Sequence, residues 1–120
     1  MYEIKSIEWI DKDINEAEII VSDGNNDILC FSHPFIGEIG SVIIEPLYCV
    51  DVEDIVLIDN ENYRISSSDS YFGQIICGKL IDNHIVLVGE LRLSIKDSDI
   101  SGDIKEGDFI EFKTSRLDLY

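Results

Sequence analysis

Apolar and polar positions alternate with a period of two along residues 85–96. Ile85, Leu87, Gly89, Leu91, Leu93 and Ile95 fall on one face, and Val86, Val88, Glu90, Arg92, Ser94 and Lys96 on the other. A helix repeats every 3.6 positions and does not generate such a run, so the pattern predicts one long strand. Its first half is apolar on both faces, which predicts burial from both sides, while its second half leaves one face to water. Gly89 is the expected bend, as glycines often are at sheet corners.

Further strands follow from shorter runs and the turn residues between them. Asp82-Asn83 separates the run 71–81 from the long strand and predicts a tight hairpin. Asp23-Gly-Asn-Asn-Asp27 predicts a second hairpin, between 18–21 and 28–31. A third is expected at 59–62, between 55–58 and 63–66. Lys105-Glu-Gly-Asp108 is a glycine turn feeding a strand, followed by a short tail to Tyr120. In the first segment Ile4, Ile7, Ile10 and Ile14 recur at roughly helical spacing, but the β-branched load and the Asp11-Lys-Asp break favour a strand over 2–10. Pro34 and Pro46 stand where strands end. Short strands about ten residues apart predict an all-β fold with little helix: a small antiparallel barrel or sandwich, Greek-key or OB-like, forming one domain over 1–120.

Composition agrees, with 22 Ile against a single Ala and a single Met. Ile suits pleated surfaces, and Ala is the best helix former. An excess of Ile, Asn and Asp also arises from AT-rich coding, so the alternation carries the fold expectation.

Charge narrows the function more than the fold. The formal net charge is −16, and from Asp13 to Tyr63 the chain holds twelve Asp and Glu and no Lys or Arg. Local ion pairs cannot neutralise such a run, so it projects a negative field that attracts basic proteins and repels nucleic acid and anionic lipid. The three cysteines, Cys30, Cys49 and Cys77, are odd in number, widely spaced and set in apolar runs. That predicts reduced, buried thiols in a cytoplasmic protein rather than a secreted disulfide framework. The N-terminus shows no signal-peptide layout, and no apolar run approaches membrane-spanning length.

Candidate chemistry is sparse. Residues 97–108 resemble a calcium loop, with oxygen ligands at Asp97, Asp99, Ser101 and Asp103, Gly102 at the sharp turn and Asp108 at the last position. That last position departs from the usual Glu, and the flanking segments read as strands rather than helices. Asp, Ser and Gly also make ordinary turns. Cys30-x-x-His33 is one loose pair, where structural zinc normally takes two close pairs. Ser32-His33 and the cluster Ser66-Ser-Ser-Asp-Ser70 lack a nucleophile elbow, no phosphate-binding glycine loop is present, and no residue is assigned a catalytic role.

The leading expectation is therefore a protein-binding module whose acidic surface docks a basic partner. In concrete form it is an inhibitor or immunity-type protein that neutralises a cationic nuclease toxin. The expected contact residues are Asp11, Asp13, Glu16, Glu18, Asp51, Glu53, Asp54, Asp59 and Glu61, with Trp9, Tyr48 and Tyr63 as aromatic anchors. No cofactor is required by this reading. The alternatives are a calcium-binding β-domain using 97–108, or a small-ligand carrier or enzyme with its site inside a barrel. A plain solubilising role for the acids is the bland counterpart of the docking reading.

Overall fold

The computed structural model describes every residue except Asn83, Asp97 and Tyr120. Its strands are β1 (Tyr2–Asp11), β2 (Glu16–Ser22), β3 (Asp27–Ser32), β4 (Val42–Ile43), β5 (Leu47–Val50), β6 (Glu53–Leu57), β7 (Arg64–Ser67), β8 (Gln74–Asp82), β9 (Ile85–Val88), β10 (Leu91–Ser94), β11 (Phe109–Thr114) and β12 (Arg116–Asp118). Among the described residues the only helical element is a 3-10 turn, Lys12–Ile14. The strands form one mixed sheet in the order β4-β1-β2-β3-β12-β5-β10-β9-β8-β11-β6, with β7 added to β8. The all-β expectation holds in its sandwich form. The two ends of the path, β4 and β6, do not pair with each other, so the sheet is not a closed barrel. Two junctions, β3–β12 and β5–β10, are parallel, and the others are antiparallel.

Alternation decides which side chains enter the core. Ala17, Ile19 and Val21 of β2 and Ile28 and Cys30 of β3 are buried, whereas Glu16, Glu18 and Ile20 look outward. The same core receives Val86, Val88, Leu91, Leu93, Ile110 and Phe112 from the far half of the sheet. Burying one such aliphatic side chain contributes about 1.5–3 kcal/mol. Where the sheet opens between β3 and β12, which pair only at Phe31 and Asp118, Gln74 of β8 donates its side-chain amide to the Leu29 carbonyl at 2.9 Å.

The segment 85–96 is corrected by the structure. It is two strands, β9 and β10, joined by a two-residue turn at Gly89-Glu90, with Leu91 opposite Val88. Cross-strand partners share a face, so the buried set switches from even positions (Val86, Val88) to odd ones (Leu91, Leu93, Ile95). The apolar residues on both parities concealed that switch. Gly89 has φ +62, and an added Cβ there would collide with Asp23 and Asn26. Those two residues belong to the β2–β3 turn, which forms as expected at 23–26. Asp23 clamps the two turns together: its Oδ2 accepts from the Glu90 N–H at 2.8 Å, and its Oδ1 accepts from the N–H groups of Asn25 (2.8 Å) and Asn26 (2.7 Å).

Three other expectations change. The β8–β9 hairpin exists, but Asp82 is paired strand opposite Ile85, and Asn83 lies outside the described residues. The hairpin expected at 59–62 is absent: β6 pairs with β11 and β7 with β8, so the 58–63 connection crosses two strands. The expected C-terminal tail is instead β12, inserted between β3 and β5 in the middle of the sheet.

β8 explains the crossing. It pairs with β7 along 74–77 and with β9 along 79–82, while β11 runs along its other edge. Gly78 sits at this change of partner. A Cβ there would lie 2.6 Å from the Leu87 carbonyl oxygen and 2.7 Å from a Val86 methyl, so no side chain fits between the strands.

Candidate functional site

The acidic residues of 11–18 and those of 51–54 lie in two separate regions. A row of paired residues crosses the sheet as Glu8, Glu18, Phe31, Asp118 and Tyr48. Asp11 lies three strand positions to one side of that row, where β1 turns into β2, and Asp51 lies three positions to the other side, where β5 ends. One continuous acidic patch from 11 to 61 is thus not what the fold builds.

At the β1–β2 end, Asp11 caps the 3-10 turn by accepting from the Asp13 N–H at 3.1 Å, and both acids are exposed. Trp9 is exposed, with its ring 5.9 Å from Phe35 and beneath the Lys12 ammonium at 6.0 Å, so part of its face is spent within the molecule. Glu16 and Glu18 point outward from β2. Glu18 accepts from the Tyr71 hydroxyl, an arrangement that raises the Tyr71 phenol above its ordinary range. Beside it lies an aromatic and cationic cluster that sequence reasoning missed. Phe72 packs edge-on against Phe31 and Tyr71, and the Arg116 guanidinium stacks over Phe31 at 4.5 Å. Arg116 also grips Asp118 through two hydrogen bonds of 2.6 and 3.0 Å, which raise its pKa further. The outward phase of Leu29 and Phe31 in β3 was the available signal, but no spacing linked Phe31 to residues forty and eighty-five positions away.

The β5–β6 turn is the more open of the two regions. Asp51 and Asp54 have φ of +50 and +56, a left-handed conformation that Asp tolerates better than most residues. Asp54 occupies a bulge opposite β11, between the Glu53–Lys113 and Val56–Glu111 pairs. This geometry turns three carboxylates outward within four residues. Asp51 accepts from Ser115 Oγ at 3.2 Å, Asp54 faces the Lys113 ammonium at 3.8 Å, and Glu53 has no ionic partner among the described residues. Exposed pairs of this kind contribute at most about 1 kcal/mol and leave most of the field unscreened.

Against this turn lies a cleft of about 560 Å³, lined on one side by Tyr48, Val50, Asp51, Glu53 and Asp54 and on the other by Ser98, Asp99 and Ser101. Two segments singled out separately in the sequence, 51–54 and 97–108, therefore face each other. Within the second, Asp97 lies outside the described residues, and Asp99, Ser101 and Asp103 are exposed. Ser101 donates its hydroxyl to Asp103, which lowers the Asp103 carboxyl below the usual range. Asp108 accepts from the Lys105 N–H at 2.8 Å and closes the glycine turn before β11. Among the described residues no three His, Cys, Asp or Glu side chains converge in the manner of a metal site.

Asp59, Glu61 and Tyr63 follow β6 on the exposed 58–63 connection, and the Tyr63 ring rests on Phe109 at 5.5 Å. The cysteines are free and buried. Cys30 and Cys49 lie in the core, where burial pushes both thiols far above their ordinary range. His33 is exposed and does not join Cys30. Cys77 differs: it belongs to the outward phase of β8, beneath the Glu111 carboxylate, to which its thiol donates at 3.3 Å. Burial first, and Glu111 second, raise its pKa. No described helix is long and apolar enough to cross a membrane. Comparison with family models, with curated proteins and with solved structures finds no match to this chain.

Proposed function

We propose that this chain is a protein-binding module whose acidic surface docks a basic partner. In its concrete form it is an inhibitor or immunity-type protein that occupies the cationic surface of a nuclease toxin. The observation that supports this reading is the β5–β6 turn. Asp51, Glu53 and Asp54 are exposed there, Asp99 stands across the cleft, Lys113 faces Asp54 at 3.8 Å, and Arg116 interacts electrostatically with Asp51. A protein that grips nucleic acid must carry positive charge over its binding groove. An acidic inhibitor meets that same charge and is steered to it, with association rates far above those of neutral pairs. Tyr48 lines the cleft beside the carboxylates, with the Lys96 ammonium over its ring at 5.7 Å.

The test is the association rate on an immobilised cationic nuclease, for wild type and for the triple variant Asp51→Lys, Glu53→Lys and Asp54→Lys. The reversal slows association about tenfold or more, and wild-type association slows as salt shortens the Debye length below about 10 Å. These exposed changes cost the fold about half a kcal/mol or less each. An on-rate indifferent to both salt and reversal would reduce the acidic turn to a solvated face.

A further inference from the structure

The end of the sheet next to the acidic turn is an open strand edge, and its surroundings specify what it accepts. β6 is the last strand of the path, paired with β11 on one side and, among the described residues, with no strand on the other. Ile58 donates its N–H inward to the Phe109 carbonyl at 3.0 Å. Hydrogen-bonding direction alternates along an antiparallel strand, so the N–H and C=O of Leu57 point to the open side. Val56 and Leu57, on opposite faces of the strand, are 47% and 49% exposed. Natural edges are commonly guarded by Lys, Pro or a covering loop, because unpaired donors and acceptors template another strand. β6 has neither Lys nor Pro; the bulge at Asp54-Ile55 and the 98–101 segment across the cleft stand at its start, before the regularly paired Val56 and Leu57.

Charge selects the occupant. Glu53 and Asp54 stand at one end of the edge and Asp59 and Glu61 at the other, all exposed. From 53 to 59 is roughly 20 Å of extended chain. A second copy of this protein is disfavoured, since antiparallel pairing of two β6 edges would set Glu53 and Asp54 against Asp59 and Glu61 of the other copy, and each chain carries −16. We infer that β6 accepts by strand addition an extended segment of a partner with alternating apolar residues between Lys or Arg at both ends. The inference rests on the docking reading above and names its mode: backbone hydrogen bonds to the 55–58 edge for affinity, and the flanking carboxylates for register and sign.

The probe is a fluorescein-labelled peptide, Lys-Lys-Val-Thr-Val-Thr-Lys-Lys, read by anisotropy at low salt. Two N-methylated forms remove the backbone donors of one edge or of the other. Strand addition requires that one form lose at least tenfold in affinity while the other binds as the parent does. Leu57→Pro removes an outward donor at an edge position that tolerates proline, and it produces the same loss with the circular dichroism spectrum unchanged. Equal binding of both methylated forms, lost only on reversal of Glu53, Asp54, Asp59 and Glu61 to Lys, would overturn strand addition and leave electrostatic docking standing. Absence of any binding would sink both. A protein that sediments as a dimer, and as a monomer after Leu57→Pro, would show that the edge serves a second copy.

Discussion

Replacing Asp23 by Ala removes the acceptor that ties the β2–β3 turn to the β9–β10 turn. Four donors converge on this carboxylate: the N–H groups of Asn25, Asn26 and Glu90, and the Asn26 side-chain amide at 3.2 Å. Only the Glu90 bond joins distant parts of the chain, tying the β2–β3 turn to the β9–β10 turn. A hydrogen bond to a charged group contributes about 1.5–3 kcal/mol, and the local bonds are partly replaced by water in this half-exposed site. A loss of about 2–3 kcal/mol is therefore expected for Asp23→Ala, roughly 8–12 °C in Tm for a domain of this size. Asp23→Asn keeps the shape but turns one acceptor into a donor facing the Glu90 N–H, and loses about half as much. The pH dependence follows from the same contacts. Burial alone would raise the carboxyl, but the Glu90, Asn25 and Asn26 donors outweigh it and hold the pKa below the usual value. A depressed carboxyl stabilises fully above its unfolded value, near 3.9, and loses that contribution as pH falls through the folded value. Thermal unfolding followed by circular dichroism should show a constant Tm gap between wild type and Asp23→Ala from pH 7 to about 5, narrowing below about pH 4. A gap under 2 °C at pH 7, or one that widens in acid, would refute the clamp.

Gly78→Ala should destabilise by about 1–3 kcal/mol in urea unfolding, because its methyl meets the Leu87 carbonyl and Val86 where the strands cannot part. A neutral effect would mean that β8 and β9 separate freely. The thiols should differ in reactivity. Under native conditions iodoacetamide, read by mass spectrometry, should modify Cys77 slowly and Cys30 and Cys49 only on unfolding. Modification of either core thiol before Cys77 would contradict their placement.

Alternation and turn chemistry made β1, the β2–β3 hairpin and the 105–108 turn legible, since each depends on neighbours within a few residues. The same signal misread 85–96. Val86, Val88, Leu91 and Leu93 are all apolar, so nothing local marks the point where the buried phase changes, and Gly89 suits a bend as well as a turn. The 59–62 segment failed for a related reason. Asp and Asn specify that the chain turns there, but which strands pair depends on β11 already covering β6.

All-β character, strong acidity and buried cysteines were determined by the sequence alone, because period, composition and charge are properties of residues and their near neighbours. Tertiary structure alone decided that β12 enters the middle of the sheet and that Cys77 faces Glu111 rather than the core. It also separated the acids of 11–18 from those of 51–54 and set Asp99 opposite Asp51–Asp54, beside a β6 edge that no strand pairs among the described residues. Those outcomes depend on contacts between segments tens of residues apart. Which such pairs form is settled by burying one shared core and satisfying backbone hydrogen bonds across the whole sheet, a competition that no local pattern records.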